Sequence, residues 1–313
     1  MTCGTGEYHI PVLAHEAVEG LAVVPGGTYL DGTMGGGGHS SLIAEKLEGT
    51  GRLFCIDRDP DAVELGKHRF SGQGNITVIR GNFADAPQLL EGLADGVDGA
   101  LLDLGVSSHQ LDDPDRGFSY LKDGALDMRM SKDGLTAADI VNTWSEEDLA
   151  SVIRRYGEEP YDAAVARKIC RAREEKPIYT TGELSEIVIS AMPPAVRRKS
   201  GNPARKTFQA LRIAVNDELG ALEKGLSGIF SILNPKGRFC VITFQSLEDR
   251  IVKNFFKEMC EGDRSSAEYL IYGRESGARA RAVTRKPVLP GKEETDSNRR
   301  ARSAKLRIIE KVG

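Results

Sequence analysis

Three aspartates close apolar runs in this chain: Asp31 ends TYLD, Asp57 ends RLFCID and Asp103 ends VDGALLD. Between the first two lies GTMGGGGHS, in which Gly35 to Gly38 lack Cβ atoms and so permit φ > 0 and close approach of backbone to a ligand. In an open α/β sheet, ligands sit beyond the carboxyl ends of the strands, where the first strand turns into its helix. Asp57 follows Gly38 by 19 residues, the interval of a carboxylate that receives a ribose hydroxyl pair. The combination points to an adenosine-containing ligand, and two cofactors compete for it. A dinucleotide site would read G-x-G-x-x-G, but Ser40 occupies the third position and Asp31 would repel a pyrophosphate with no cation nearby in sequence. S-adenosylmethionine has the opposite requirement: its ammonium and sulfonium groups suit Asp31 and Asp103, while its carboxylate can use the helix N-terminus. For each acid taken singly, capping or bonding of the loop backbone is the competing reading. Phe83, in RGNF, could stack on adenine or simply pack where a helix begins. His39 reads as a backbone-bonding residue rather than a general base, and His9, His15 and His68 have no metal-ligand spacing.

These residues need a scaffold, and residues 28 to 104 alternate as a parallel α/β sheet demands. TYLDG, RLFCID, ITVIRGN and VDGALLDLGV read as strands, the second too apolar to be half exposed. HSSLIAEKL, DRDPDAVELGKHRF and PQLLEGLA read as the intervening helices, with Asp59 as N-cap and Pro60 in the first helical position. Later, TFQALRIAVNDELGALEKGLSGIFSIL predicts one long amphipathic helix, RFCVITF a buried strand, LEDRIVKNFFKEM a helix, and AVTRKPVLP and AKLRIIEKV the strands of an antiparallel edge.

After Val106 the alternation stops. SSHQLDDPDRGFSYLKDGALDMRMSKDG has no sustained period, and a stretch of that length is usually functional or disordered. Helical signals follow: a capping-box-like start from Ser145 to Asp148 with Gly157 just past the end, a helix in EPYDAAVARKICRAREE, and a second box from Thr180 to Glu183 opening a helix stopped by Pro193 and Pro194. The expected division is residues 1–108 with 207–313 as one α/β domain, and 109–206 as an inserted helical domain.

With 313 residues, the chain is long enough for two domains. No apolar run approaches the roughly 18 to 20 residues that span a bilayer, and MTCGTGEYH lacks the order of a signal peptide, so the cytoplasm is the expected location. Five widely spaced cysteines disfavour zinc and disulfides, and without a Pro-Cys pair they give no support to a cysteine nucleophile. The net charge of −4 is unevenly spread: residues 264–313 hold thirteen Lys/Arg against six Asp/Glu. A second basic island, 193–212, contains Arg197, Arg198, Lys199, Arg205, Lys206 and Arg212 without an acid. Such clusters are either solvated charge or an electrostatic footprint for nucleic acid.

Several blocks carry more than a pattern. DGTMGGGGHS, LLDLGVSSHQLDDPDRGFSY, LDMRM, YGEEP, KTFQALRIAVNDEL, TFQSLEDRIVK and RARSAKLR together resemble the bacterial ribosomal RNA small subunit methyltransferase H family, also called MraW, from HIPVL at residue 9 to the C-terminus. The resemblance implies a class I, Rossmann-like methyltransferase domain carrying a helical insert. It further implies methyl transfer from S-adenosylmethionine to the N4 amine of a 16S rRNA cytosine in the decoding region near the P site. By the same resemblance the cofactor contacts are Gly37, Gly38, His39, Asp57, Phe83, Asp103 and Gln110. Three positions depart from the family: Gln245 replaces the usual His in TFQSLEDR, His109 stands where Pro is usual, and GNPARK replaces a more frequent H-P-A-T.

A cytosine amine is a poor nucleophile because its lone pair is delocalised, so an acceptor on its N–H and in-line alignment are what a site must supply. Asp103 is the expected catalytic residue, and Arg197, Arg198, Lys199, Arg205 and Lys206 are the expected contacts to RNA phosphates. The competing functions are an NAD(P)-linked oxidoreductase and an RNA-binding assembly factor without turnover.

Overall fold

The structure is a computed structural model describing residues 11–198, 201–261 and 277–313. It divides into two compact units, one of residues 1–105 with 219–313 and the other of 106–218.

The first unit is built on a seven-stranded sheet in the order β3-β2-β1-β4-β5-β7-β6. The strands are β1 (Thr28–Asp31), β2 (Arg52–Asp57), β3 (Ile76–Arg80), β4 (Val97–Asp103), β5 (Leu233–Thr243), β6 (Ala280–Ala282) and β7 (Lys305–Lys311). The first five run parallel, and β7 pairs antiparallel with both β5 and β6. This is the doubly wound architecture that the strand and helix alternation predicts, and the order reverses between β1 and β4, where such folds place a ligand. One face buries Leu30, Phe54, Leu102 and Val241 against the helices Glu218–Ile232 and Ser246–Glu261. The other buries Tyr29, Leu53, Cys55, Leu101 and Ile242 with the helices Ala14–Leu21 and Gly38–Leu47. A strand covered on both faces can be apolar at successive positions, which is why β2 and β4 carry no polar alternation. The helix Pro60–Arg69 starts as its sequence dictates, with Asp59 accepting from the N–H of Asp61 and Pro60 in the first turn.

The antiparallel edge differs from expectation in one strand. AVTRKPVLP contributes only its first residue to β6, and further on Val288 makes an isolated bridge to Leu306. Charge lines this edge: Glu310 of β7 sits opposite Arg238 and Arg281 and pairs with both, at 3.2 and 2.6 Å.

The second unit is helical, with Glu146–Gly157, Asp162–Glu175, Thr181–Ala191 and Arg205–Asn216 packed around Leu149, Ile153, Val165, Ile169, Leu184, Val188, Phe208 and Leu211. Its later boundary lies beyond the expected 206/207. The stretch read as one long helix is two, broken at Asp217 with φ 46°, and the first half belongs to this unit because Phe208 and Leu211 fill its core. Gly157 is the last helical residue rather than the one after. Glu158 takes the left-handed cap, and a Cβ on Gly157 would stand 2.6 Å from the Lys206 carbonyl, so the glycine serves close helix packing.

The aperiodic stretch after Val106 is ordered. Phe118, Leu126, Met128 and Met130 enter the helical core. Buried Arg116 donates to the carbonyls of Arg129 and Met130 at 3.1 and 3.0 Å, and Asn216 bonds the Met130 N–H and the Met128 carbonyl at 2.8 and 2.7 Å. Side-chain amide and guanidinium groups here replace the backbone ladder that a helix or strand would supply.

Candidate active site

Six of the seven expected cofactor residues, Gly37, Gly38, His39, Asp57, Phe83 and Asp103, lie just at or after the carboxyl ends of β1 to β4. Gly37 has φ 76° and leads into the helix Gly38–Leu47, which has no side-chain cap. A Cβ on Gly38 would touch Pro11 at 3.0 Å. The Asp57 carboxylate accepts the Gly35 N–H at 2.7 Å and the Asp59 N–H at 2.8 Å, tying the end of β2 to the glycine loop. Phe83 lies against helix residue Gly225, where a Cβ would be 2.5 Å from its ring, and next to Gly32. Gln110 belongs to the other unit: its Oε1 accepts the Ser107 N–H at 3.0 Å in a capping box that opens the helix Ser108–Asp112.

Asp31 sits differently from the expected cation-facing carboxylate. It is buried, and its oxygens accept from the Thr33 N–H at 3.1 Å and the Ser40 hydroxyl at 2.6 Å. Ser40, the residue that breaks the dinucleotide pattern, is thereby the partner of the first-strand acid. Asp31 acts on the site through its field. Burial pushes its carboxyl up to about 6, and burial does the same for Asp57.

Asp103 is the polar centre. Its backbone N–H donates to Thr33 Oγ1 at 2.6 Å, its Oδ2 is 3.6 Å from His39 Nδ1, and its buried Oδ1 has no hydrogen-bond partner. Burial, then the charges of Asp31 and Glu248, raise its carboxyl well above the usual range. His39 Nε2 is 3.1 Å from the Val12 carbonyl, and burial lowers the imidazole to about 4. The ring is therefore neutral near pH 7, with its proton on Nε2 and a lone pair on Nδ1 turned toward Asp103. Glu248, which sequence reading passed over, is buried and accepts from the N–H groups of Phe244 and Gln245 at 3.0 and 3.2 Å. Its place three residues after Gln245, at the start of a helix, is the signal that could have found it. Thr33 carried no such signal for its hydroxyl, whose donor, the Asp103 N–H, is brought from a distant strand by the fold.

This arrangement fits a cationic ligand. Raised carboxyls, an unpartnered buried oxygen and an imidazole lone pair all gain from a positive charge, and an uncapped helix start with glycines can receive a carboxylate. Among the described residues, no group of His, Cys, Asp or Glu is arranged to hold a metal. Cys55 and Cys240 are buried with their thiols pushed up by burial, which leaves them inert as nucleophiles. No helix among the described residues is long and apolar enough to cross a membrane.

Of the basic island, Arg197, Arg198, Arg205 and Lys206 are exposed, and Lys199 lies outside the described residues. Lys206 donates to the Glu158 carbonyl at 2.8 Å and Arg198 to the Pro194 carbonyl at 3.3 Å, so both side chains are held without spending their charge on an acid.

Comparison with known proteins gives the family. A sequence model of the MraW methylase family matches residues 6–312. A protein of Brevibacillus brevis called ribosomal RNA small subunit methyltransferase H is 47% identical over 308 residues, covering 97% of this chain and 98% of its own. A protein of the same name from Symbiobacterium thermophilum is 48% identical, with 97% of each chain covered. The chain belongs to the MraW methylase family and is a methyltransferase with the class I fold.

Proposed function

We propose that the protein transfers a methyl group from S-adenosylmethionine to the N4 amine of a cytosine in the decoding region of 16S rRNA, near the P site. The observation that carries this reading is Asp103 Oδ1, a buried acceptor without a partner at the end of the central strand β4. The cofactor, when bound, supplies an electrophilic methyl group on a sulfonium. Gly37, Gly38 and His39 would hold its amino-acid end, Asp57 the ribose hydroxyls, Phe83 the adenine, and Gln110 is a further contact. Asp103 accepts an N–H of the target amine and takes its proton, a task favoured by a carboxyl whose proton affinity burial has raised. The helical unit, through Arg197, Arg198, Lys199, Arg205 and Lys206, meets the RNA phosphates, and an enzyme of ribosomal subunits works in the cytoplasm.

Small subunits lacking the modification, incubated with the protein and S-adenosylmethionine, should yield one N4-methylcytidine in the decoding region by mass spectrometry. A methyl group on carbon 5, or on another nucleotide, sinks the assignment. Absence of turnover with intact RNA binding would favour the assembly-factor reading. Replacing Arg197, Arg198 and Lys199 by Ala should make the log–log salt dependence of RNA affinity shallower by about 0.9 for each phosphate contact removed. An unchanged slope removes the island from the interface.

A further inference from the structure

Gln245 Oε1 is a second buried oxygen without a hydrogen-bond partner. It stands just beyond β5, the strand next to β4, and Asp103 pairs in register with Ile242 of β5. The main chain around Gln245 is pinned. Its N–H donates to Glu248 Oε2 at 3.2 Å, its carbonyl accepts from the Asp249 N–H at 3.0 Å, and Asp249 is in turn gripped by Lys305 and Arg307 at 3.0 and 2.7 Å. Leu104, the residue after Asp103, donates to the Ile242 carbonyl at 3.0 Å, so the ends of the two strands are fixed relative to each other. The fold thus holds two uncommitted acceptors at the same end of adjacent strands, and an unsatisfied buried acceptor costs about 1–3 kcal/mol unless a ligand supplies a donor.

We propose that Asp103 Oδ1 and Gln245 Oε1 receive the two N–H groups of the target amine, Asp103 taking the proton and Gln245 fixing the amine's orientation. This rests on the cytosine-amine reading above. The amine nitrogen bonds to the methyl carbon and the carbon–sulfur electron pair stays on sulfur. One amine proton passes to the Asp103 carboxylate, and the other stays on nitrogen, bonded to Gln245. A neutral amide cannot take a proton, so the division of labour follows from the two residue types. With Asp103 ionised the pair also discriminates: uracil presents a carbonyl oxygen where cytosine presents the amine, and two acceptors would then face a third. Imidazole, the family's usual group here, can also accept through one nitrogen, so Gln245 in this chain replaces one neutral acceptor with another.

The test compares wild type, Q245L and Q245H on subunits carrying cytidine or uridine at the mapped nucleotide. Q245L should lower kcat about tenfold or more while affinity for S-adenosylhomocysteine stays within about twofold, and it should lose about tenfold of the cytidine-over-uridine binding preference. Q245H should recover most of both. The wild-type preference needs no mutant and is read by itself. An unchanged kcat in Q245L, equal binding of both subunits by wild type, or an equal loss of S-adenosylhomocysteine affinity in Q245L overturns the proposal while leaving the N4 assignment standing. A methyl group mapped away from any cytosine amine overturns both.

Discussion

Asp31 and Asp103 close neighbouring parallel strands of one sheet, yet the fold puts them to opposite uses. Both oxygens of Asp31 are engaged, by the Thr33 N–H and the Ser40 hydroxyl. One oxygen of Asp103 is buried and idle, while the other is 3.6 Å from a neutral imidazole. Thr33 joins the two sites, since its N–H serves Asp31 and its hydroxyl oxygen receives the Asp103 N–H. A strand-end carboxylate is thus structural or available according to how many donors its surroundings bring. Here the glycine loop brings them to the first strand and not to the fourth.

The comparison breaks most visibly at Asp103. D103N should lower methyl transfer by about 10²–10⁴ with RNA affinity nearly unchanged, measured by methyl incorporation and by filter binding. In wild type, kcat/KM should rise with pH along a limb set by ionisation of this carboxyl, and D103N should lack that limb. Unchanged turnover in D103N would make the two acids equivalent.

Next in size is the pH dependence of stability contributed by Asp31. Its folded value of about 6 lies above the usual carboxylate range, so its contribution is present at low pH and is lost as pH rises from about 4 to about 6. The stability difference between wild type and D31N should therefore shrink in that window by on the order of 2–3 kcal/mol. His39, held at about 4, has the opposite sign and costs stability as pH falls, which is why the difference between variants, followed by urea unfolding, is the measurement to make.

S40A removes one donor from Asp31 and should destabilise the fold by about 1–2 kcal/mol with transfer reduced far less than in D103N. The smallest effect belongs to the loop between the acids. A Cβ on Gly36 meets nothing within 4 Å, and its φ is not positive, so G36A should change stability by less than about 0.5 kcal/mol. G37A, at φ 76°, should cost about 1 kcal/mol, read from the same unfolding curves.

The sheet was legible because its signals are local. Apolar runs ending in Asp, the Asp59–Pro60 start, the N-cap at Ser145 and the capping box at Thr180 need no distant partner to be read. The aperiodic stretch was not legible, because Met128 and Met130 find their place through Arg116 and Asn216, one of them distant in sequence. The split of the long helix at Asp217 escaped for a similar reason, since its apolar pattern runs through the break while its two halves fill different cores.

Sequence by itself determined the doubly wound sheet, the glycine loop after β1 and the acids at the strand ends, because each follows from chain periodicity or from one residue's conformational freedom. Tertiary structure alone decided that Asp31 is a tied structural acid, that Asp103 and Gln245 keep an oxygen uncommitted, and that Glu248 adds charge beside them. Hydrogen-bond satisfaction depends on which donors distant segments bring within 3 Å or so, and a linear chain does not display that.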